Sequence, residues 1–275
     1  MNDKLSKFLF GEFSIKRLMT SLVFIPIFVI FGLLVYAYFF ADTLIFQPQT
    51  SSYRDNAEIL KLNAPNGEKI SAKFYKNESA KYTILFSHGN AEDIGEMDLQ
   101  IEAFQKIGFA VLVYDYRGYG TSDGKPSELK AYEDAKIAYK YLTDELKIAP
   151  EKIIIHGRSL GGAVAIDLAS RKNCGGLIVE SSFVSAFRVL TKYKIIPFDK
   201  FQSLDKIKSI KCPTLFIHGR KDRVIEFWHS EKLFEEANQP KFSFWIDEAD
   251  HNNIFEVGGK TYLQAIRDFA DNLSK

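Results

Sequence analysis

Apolar and polar residues alternate along this chain with more than one period, and each change of period marks an element. Residues 18–41 carry no charge and are dominated by Phe, Ile, Leu and Val. At about 1.5 Å per residue, a helix of that length crosses a hydrocarbon core of about 30 Å. We therefore expect a transmembrane helix over 18–41, with Pro26 tolerated inside the bilayer. A cleaved signal peptide is the competing reading, but its apolar region usually runs about 7–15 residues and ends in a small-x-small site. The run here is longer, and near its end only Ala37 and Ala41 are small. Both features favour an uncleaved anchor.

Further along, two short alternating segments flank Pro65, Asn66 and Gly67, which predicts a β-hairpin. Apolar runs then predict strands at 82–87, 110–114, 152–156, 176–179, 214–217 and 242–246. Helical spacing between them predicts helices at 94–106, 128–146 with Ser127 as N-cap, 160–171, 226–237 and 260–273. Strand and helix alternate as in βαβ units, so the fold class is α/β. The expected architecture is a mostly parallel eight-stranded sheet covered by helices on both faces. Between 182 and 211 no long helical period occurs, which leaves room for a short cap segment but no large lid. The expected organisation is a cytoplasmic segment 1–17, the transmembrane helix 18–41, a linker 42–53 and one catalytic domain 54–275.

Charge narrows the function classes. In 275 residues, 36 basic side chains face 35 acidic ones, a net charge of +1, so no basic field is present to hold nucleic acid. Lys4, Lys7, Lys16 and Arg17 precede the apolar run, whereas Arg54 and Lys61 are the first basic residues after it. The positive-inside rule then keeps the N-terminus cytoplasmic and puts the catalytic domain on the extracytoplasmic side of a single-pass protein. Cys174 and Cys212 are too few for a zinc site; both precede expected adjacent strands and read as buried free thiols rather than a bridge. No His, Asp and Glu grouping has metal-ligand spacing, so neither metal nor cofactor is expected.

The chemistry begins at Gly157-Arg158-Ser159-Leu160-Gly161, between an apolar strand and the helical Gly162-Ala163-Val164-Ala165. The G-x-S-x-G string alone is weak, but a nucleophile elbow needs this strand-to-helix setting, where small neighbours let the backbone reverse and leave Oγ exposed. A serine also needs a base, and a carboxylate to orient that base. Of the five histidines, His88 and His218 end strands, His156 lies within one and His229 falls in a helix. His251 lies in a polar loop after the last strand, where this fold places its base. Asp222 follows the strand 214–217 and completes the order Ser159, Asp222, His251. Glu180, Asp247 and Asp250 remain as alternatives for the acid.

An oxyanion needs two backbone donors. The Leu160 N–H supplies one, and the loop His88-Gly89-Asn90-Ala91 supplies the other, with Asn90 preferred to Ala91. The segment Asp115 to Ser122 lacks the third glycine of a nucleotide loop, since position 123 is Asp. Asp115 and Arg117 read as charges that hold that loop.

Together, Ser87-His88-Gly89-Asn90-Ala91-Glu92-Asp93, the loop 114–120, the Gly157 elbow and Ile217-His218-Gly219 leading to Asp222 resemble a known family. It is that of the membrane-anchored α/β-hydrolases that include the eukaryotic protein depalmitoylases. The resemblance implies the α/β-hydrolase fold, the triad Ser159, Asp222 and His251, the oxyanion loop at Asn90, an open site, and hydrolysis of acyl esters or thioesters. That branch is held on membranes by an acylated, cysteine-rich N-terminus, whereas this N-terminus has no cysteine. The expected function is therefore a membrane-anchored serine hydrolase acting on ester or thioester bonds of acylated small-molecule, lipid or protein substrates. A peptidase on the same triad, or a non-catalytic membrane scaffold, are the alternatives.

Overall fold

The computed structural model describes residues 15–194 and 196–273. Lys4, Lys7 and the rest of 1–14 in the expected cytoplasmic segment lie outside the described residues. The chain divides into two compact units, with the division after Ala41. Helix α1 (Ile15–Ile45) carries the apolar run, with Pro26 inside it. Within Met19–Ile45 an 18-residue stretch reaches a mean hydropathy of 2.5 with none of that stretch buried, so by length and composition the helix can cross a membrane.

The second unit is built on one sheet. Among the described residues eight strands form it: β1 (Ile59–Asn63), β2 (Lys69–Tyr75), β3 (Thr83–Ser87), β4 (Ala110–Tyr114), β5 (Ile153–Arg158), β6 (Gly176–Glu180), β7 (Thr214–Gly219) and β8 (Lys241–Ile246). Their order is β1-β2-β4-β3-β5-β6-β7-β8. β1 and β2 pair antiparallel, with Leu62 opposite Ile70 and Gly67 at φ 86° in the turn. β2 also pairs antiparallel with β4, and from β4 to β8 every pairing is parallel. β3, β4 and β6 are buried along their whole length, which is why they read as unbroken apolar runs rather than alternating ones.

Helices cover both faces. Helices α3 (Glu128–Lys140), α4 (Leu160–Arg171), α5 (Ser203–Ile207) and α6 (Trp228–Glu236) contribute Ala135, Val164, Ile207 and Leu233 to one core. Helices α2 (Asp98–Lys106) and α7 (Ile254–Asn272) contribute Ile101, Phe104, Ile266 and Phe269 to the other. Ser127 caps α3 as expected, its Oγ accepting from the Lys130 N–H at 3.3 Å. The segment expected as one helix over 128–146 leaves α geometry after Lys140 and ends in a π turn, Tyr141–Glu145. The last helix starts earlier than its pattern suggested, because Gly259 breaks it at φ 47° and made the turn before it look like loop.

The stretch 42–53, expected as a linker, is packed into this unit. Phe46 is buried and its ring lies against Phe201 and Tyr119. The Ser52 N–H donates to Asp93 Oδ2 at 2.7 Å, and the Tyr53 hydroxyl donates to Asp115 Oδ2 at 2.6 Å. The partners lie 41 and 62 positions away, so no local pattern announces them. Among its described residues, segment 182–211 holds a 3-10 turn, Phe187–Val189, and the short α5. Asp199 ties it together by accepting from the Ser185 hydroxyl (2.6 Å) and the Phe187 N–H (2.9 Å). Cys174 and Cys212 are half-buried and unbridged.

His229 on α6 gives the domain a pH dependence. It is buried, its Nδ1 accepts from the Val184 N–H at 3.3 Å, and burial together with the Arg188 charge pushes it down to about 3. In the unfolded chain a histidine protonates near pH 6.5. Between those two values the unfolded state binds the extra proton, so stability falls as pH falls through that window. His229→Asn keeps an acceptor near the Nδ1 position and removes the titration. Between pH 7 and pH 5 its thermal midpoint should fall by less than that of the wild type; equal falls would show that His229 is not the group responsible.

Candidate active site

Ser159 sits in the turn between β5 and α4 with φ 54° and ψ −117°, a strained conformation for a residue with a Cβ. Its neighbours make that turn possible. A Cβ on Gly157 would stand 2.0 Å from Gly161 O, and one on Gly161 would stand 2.0 Å from Ser87 O and 2.5 Å from His88 O. Only glycine permits either approach. The Ser159 N–H is held by Glu180 O at 2.8 Å, and the Ser182 hydroxyl donates to Ser159 O at 2.9 Å. The serine is thereby fixed at the C-terminal ends of parallel strands, where open α/β sheets place their ligands.

The structure brings the three expected side chains into one hydrogen-bonded line. The Ser159 hydroxyl lies 3.0 Å from His251 Nε2, and His251 Nδ1 lies 2.7 Å from Asp222 Oδ2. With the Nδ1 proton donated to the carboxylate, Nε2 is free to accept from serine. Asp222 Oδ1 accepts from the Val224 and Ile225 N–H groups at 2.9 and 2.8 Å. Burial works against its charge, but hydrogen bonds from His218 and His251 outweigh burial and hold the carboxyl well below the usual carboxylate range. Glu180 is engaged elsewhere: it is buried and accepts from His156 Nε2 at 3.0 Å and the Tyr262 hydroxyl at 2.7 Å.

His218 is a site residue that the sequence reading assigned only to the end of a strand. Its Nε2 lies 3.1 Å from Asp222 Oδ2 and 2.9 Å from Ile225 O, while the Ser230 hydroxyl donates to Nδ1 at 2.6 Å. Asp222 is therefore held by two imidazoles and two backbone amides. Its spacing of four from Asp222 was the available signal, but the same spacing occurs in any strand-to-turn passage.

Leu160 opens α4, so its N–H has no acceptor one turn back in the helix. Asn90 lies on the facing loop, and its side chain is committed. Asn90 Nδ2 donates to Ile45 O at 2.7 Å, and Oδ1 accepts from the Gln47 N–H at 2.9 Å and the Tyr119 hydroxyl at 2.5 Å. Gly89 N–H donates to Glu92 Oε2 at 2.8 Å, and Arg158 pairs with the other oxygen of Glu92 at 2.8 Å. Ala91 is exposed and takes φ 60°. Asp115 holds its loop by accepting from Ile94 N–H at 2.9 Å, beside His88 at 3.3 Å, and Arg117 pairs with Glu68, Glu133 and Asp134. Among the described residues no group of three His, Cys, Asp or Glu side chains is placed to hold a metal ion.

Alpha/beta hydrolase domain-containing protein 17B of Homo sapiens is 39% identical to this chain over 225 residues, covering 80% of this chain and 77% of that protein. Alpha/beta hydrolase domain-containing protein 17C of Xenopus tropicalis is 36% identical over 219 residues, covering 78% and 70%. The chain belongs to the alpha/beta hydrolase domain-containing protein 17 family. Residues 78–201 also match the family described as serine aminopeptidase, S33. This member of the 17 family is a hydrolase with the α/β-hydrolase fold. An esterase of Pyrococcus furiosus superposes with a TM-score of 0.69 at 22% identity, covering 83% of this chain and 98% of its own, a likeness of fold.

The close approach at Gly161 is open to test. Gly161→Ala must push α4 off the Ser87 and His88 carbonyls, which costs about 1–3 kcal/mol by the usual scale for overpacking. Urea denaturation should show that loss as a lower midpoint with an unchanged slope; a midpoint equal to the wild type's would mean that the two backbones are free to separate.

Proposed function

We propose that this protein is a membrane-anchored serine hydrolase that cleaves carboxylic ester or thioester bonds of acylated or lipid-like substrates through an acyl-enzyme on Ser159. The reading is carried by the continuous hydrogen-bonded line from Ser159 through His251 to Asp222. Ser159 Oγ attacks the substrate carbonyl carbon as its proton passes to His251 Nε2. Asp222 holds the Nδ1 tautomer and stabilises the imidazolium that forms. The oxyanion lodges against the N–H groups of Leu160 and Asn90, at the positive end of α4. His251 then returns the proton to the leaving alkoxide or thiolate. Water then gives a proton to His251 as its oxygen bonds the acyl carbon; the bond from that carbon to Ser159 Oγ breaks, His251 returns the proton to Oγ, and the carboxylic acid leaves.

Acyl substrates are favoured by three things: membership of the 17 family, the resemblance of the motifs to those of depalmitoylases, and exposed apolar side chains at Leu190, Tyr193 and Val224. Val224 follows Asp222 closely and its N–H donates to that carboxylate. The match to a family described as serine aminopeptidase makes peptides the second reading. In this proposal α1 spans the membrane, with the N-terminus cytoplasmic and residues from 42 onward on the extracytoplasmic side.

Initial rates on matched short- and long-chain oxyesters and thioesters test the chemistry. Detergent-solubilised wild type should prefer the long acyl chains, Ser159→Ala should lose roughly 10⁴-fold or more in kcat, and Asp222→Asn about as much, since it offers His251 the wrong tautomer. Turnover that survives Ser159→Ala would overturn the nucleophile. Turnover of peptides alone would move the substrate to the second reading.

Sidedness is tested in membrane vesicles of known orientation. Protease added to the cytoplasmic face should leave the domain intact, whereas protease on the opposite face should digest it. The reverse pattern would reverse the proposed topology.

A further inference from the structure

At the opposite end of the strands from Ser159, the chain enters β6 and β7 side by side. Leu177 pairs with Thr214 in the parallel register, and the Leu177 N–H donates to Pro213 O at 2.9 Å. Cys174 and Cys212 stand just before these two residues, 38 positions apart in sequence, with their Sγ atoms 3.1 Å apart. Both backbones are pinned. Gly175 N–H donates to Ile153 O at 2.8 Å, and a Cβ on Gly175 would stand 2.3 Å from Glu151 O. On the other side, Asn238 Nδ2 donates to Ile210 O at 2.9 Å.

The two cysteines are half-buried rather than sealed in the core. They line a surface cavity together with Ser170, Lys172, Asn173, Ser209 and Lys211. Lys172 and Lys211 line the same cavity and give it positive charge, which draws in anions. Arg171, also on the rim, is already paired with Asp167 at 3.0 Å. A disulfide needs an Sγ separation of about 2.05 Å, so closure asks for a movement of about 1 Å between side chains on fixed strands. Two thiolates do not make a structural zinc site, which takes four ligands.

We propose that Cys174 and Cys212 form an oxidisable dithiol that closes into a disulfide by exchange with a small anionic disulfide such as oxidised glutathione. The Cys212 thiolate attacks one sulfur of the incoming disulfide; a mixed disulfide forms and one small thiolate leaves. Cys174 then gives its proton to solvent and attacks Cys212 Sγ, so that the Cys174–Cys212 bond forms and the second small thiolate leaves. Two protein thiols are oxidised, and one small disulfide is reduced to two thiols. The order follows from the contact itself: the Cys174 thiol donates to Cys212 Sγ, which lowers Cys212 and raises Cys174 from their ordinary values. The closed ring contains β6 and all of 182–211, so oxidation ties down the far end of the short segment that begins at Ser182 beside the elbow. This chemistry does not depend on Ser159.

The test uses the full-length protein in detergent, incubated with oxidised glutathione, quenched in acid, alkylated under denaturing conditions and weighed intact. The wild type should lose two hydrogens, leave neither cysteine alkylated, and recover both thiols with dithiothreitol. Cys174→Ser should stop at a single glutathionyl adduct on Cys212. Two glutathionyl groups on the wild type, or two alkylated cysteines, would overturn the proposal. Oxidised wild type should also unfold about 5 °C or more above the reduced form, as expected for closing a ring of this length. An unchanged midpoint would overturn the claim that closure constrains the segment.

Discussion

The contact on which the site depends is one between backbones. Because Gly161 has no Cβ, the first turn of α4 lies directly on the carbonyls of Ser87 and His88, at the end of β3. Those carbonyls lead straight into Gly89 and Asn90. The same approach that lets the chain reverse at Ser159 therefore sets the start of α4 beside the loop after β3. Two potential donors, the N–H groups of Leu160 and Asn90, come from chain segments about 70 residues apart, and a single glycine holds the gap between those segments. Gly157 and Gly162 extend the contact, the latter against the side chain of Ser182.

Polar groups buried beneath this contact are held in separate networks. His88, Asp115 and Tyr53 form one, under the loop after β3. His156, Glu180, Tyr262 and Gln100 form another, under the elbow. A third joins Asp222 to His251 and His218, with Ser230 behind. Each carboxylate in them is met by several donors, which is the condition for keeping charge in a buried site. The second network explains a choice that sequence left open. Glu180 stands at the end of the strand beside the nucleophile strand, a plausible place for a triad acid by position. Its Oε2, however, is engaged by both His156 and Tyr262, and the histidine loop after β8 meets Asp222 instead.

Parallel strands and the elbow were legible in the sequence because their determinants are local. A strand buried on both faces must be apolar throughout, and a nucleophile turn must have small residues two positions either side. The runs at 110–114, 176–179 and 214–217, and the helix at 160–171, fall where they were expected for that reason. Contacts with long sequence separation left no such trace. The linker reading of 42–53 failed because the partners of Phe46, Ser52 and Tyr53 are side chains 41 or more positions away, and a short stretch of mixed polarity looks the same whether it is packed or free. The hold of His218 on Asp222 was hidden for a different reason: position shows where a histidine sits in a strand, but not which way its ring turns.

The packed stretch after α1 changes what the domain is. Asn90 donates to Ile45 O and accepts from the Gln47 N–H, while Tyr119 bonds both Asn90 and Gln47. The side chain of the residue proposed as an oxyanion donor is thus held by backbone at 45 and 47 and by an aromatic ring that Phe46 packs against. A side chain fixed at both ends of its amide leaves its own backbone little freedom, and little freedom is what an oxyanion donor requires, since preorganised dipoles do not reorganise as charge develops. Residues that a sequence reading would place outside the catalytic domain are, by this argument, part of what holds its loop in place.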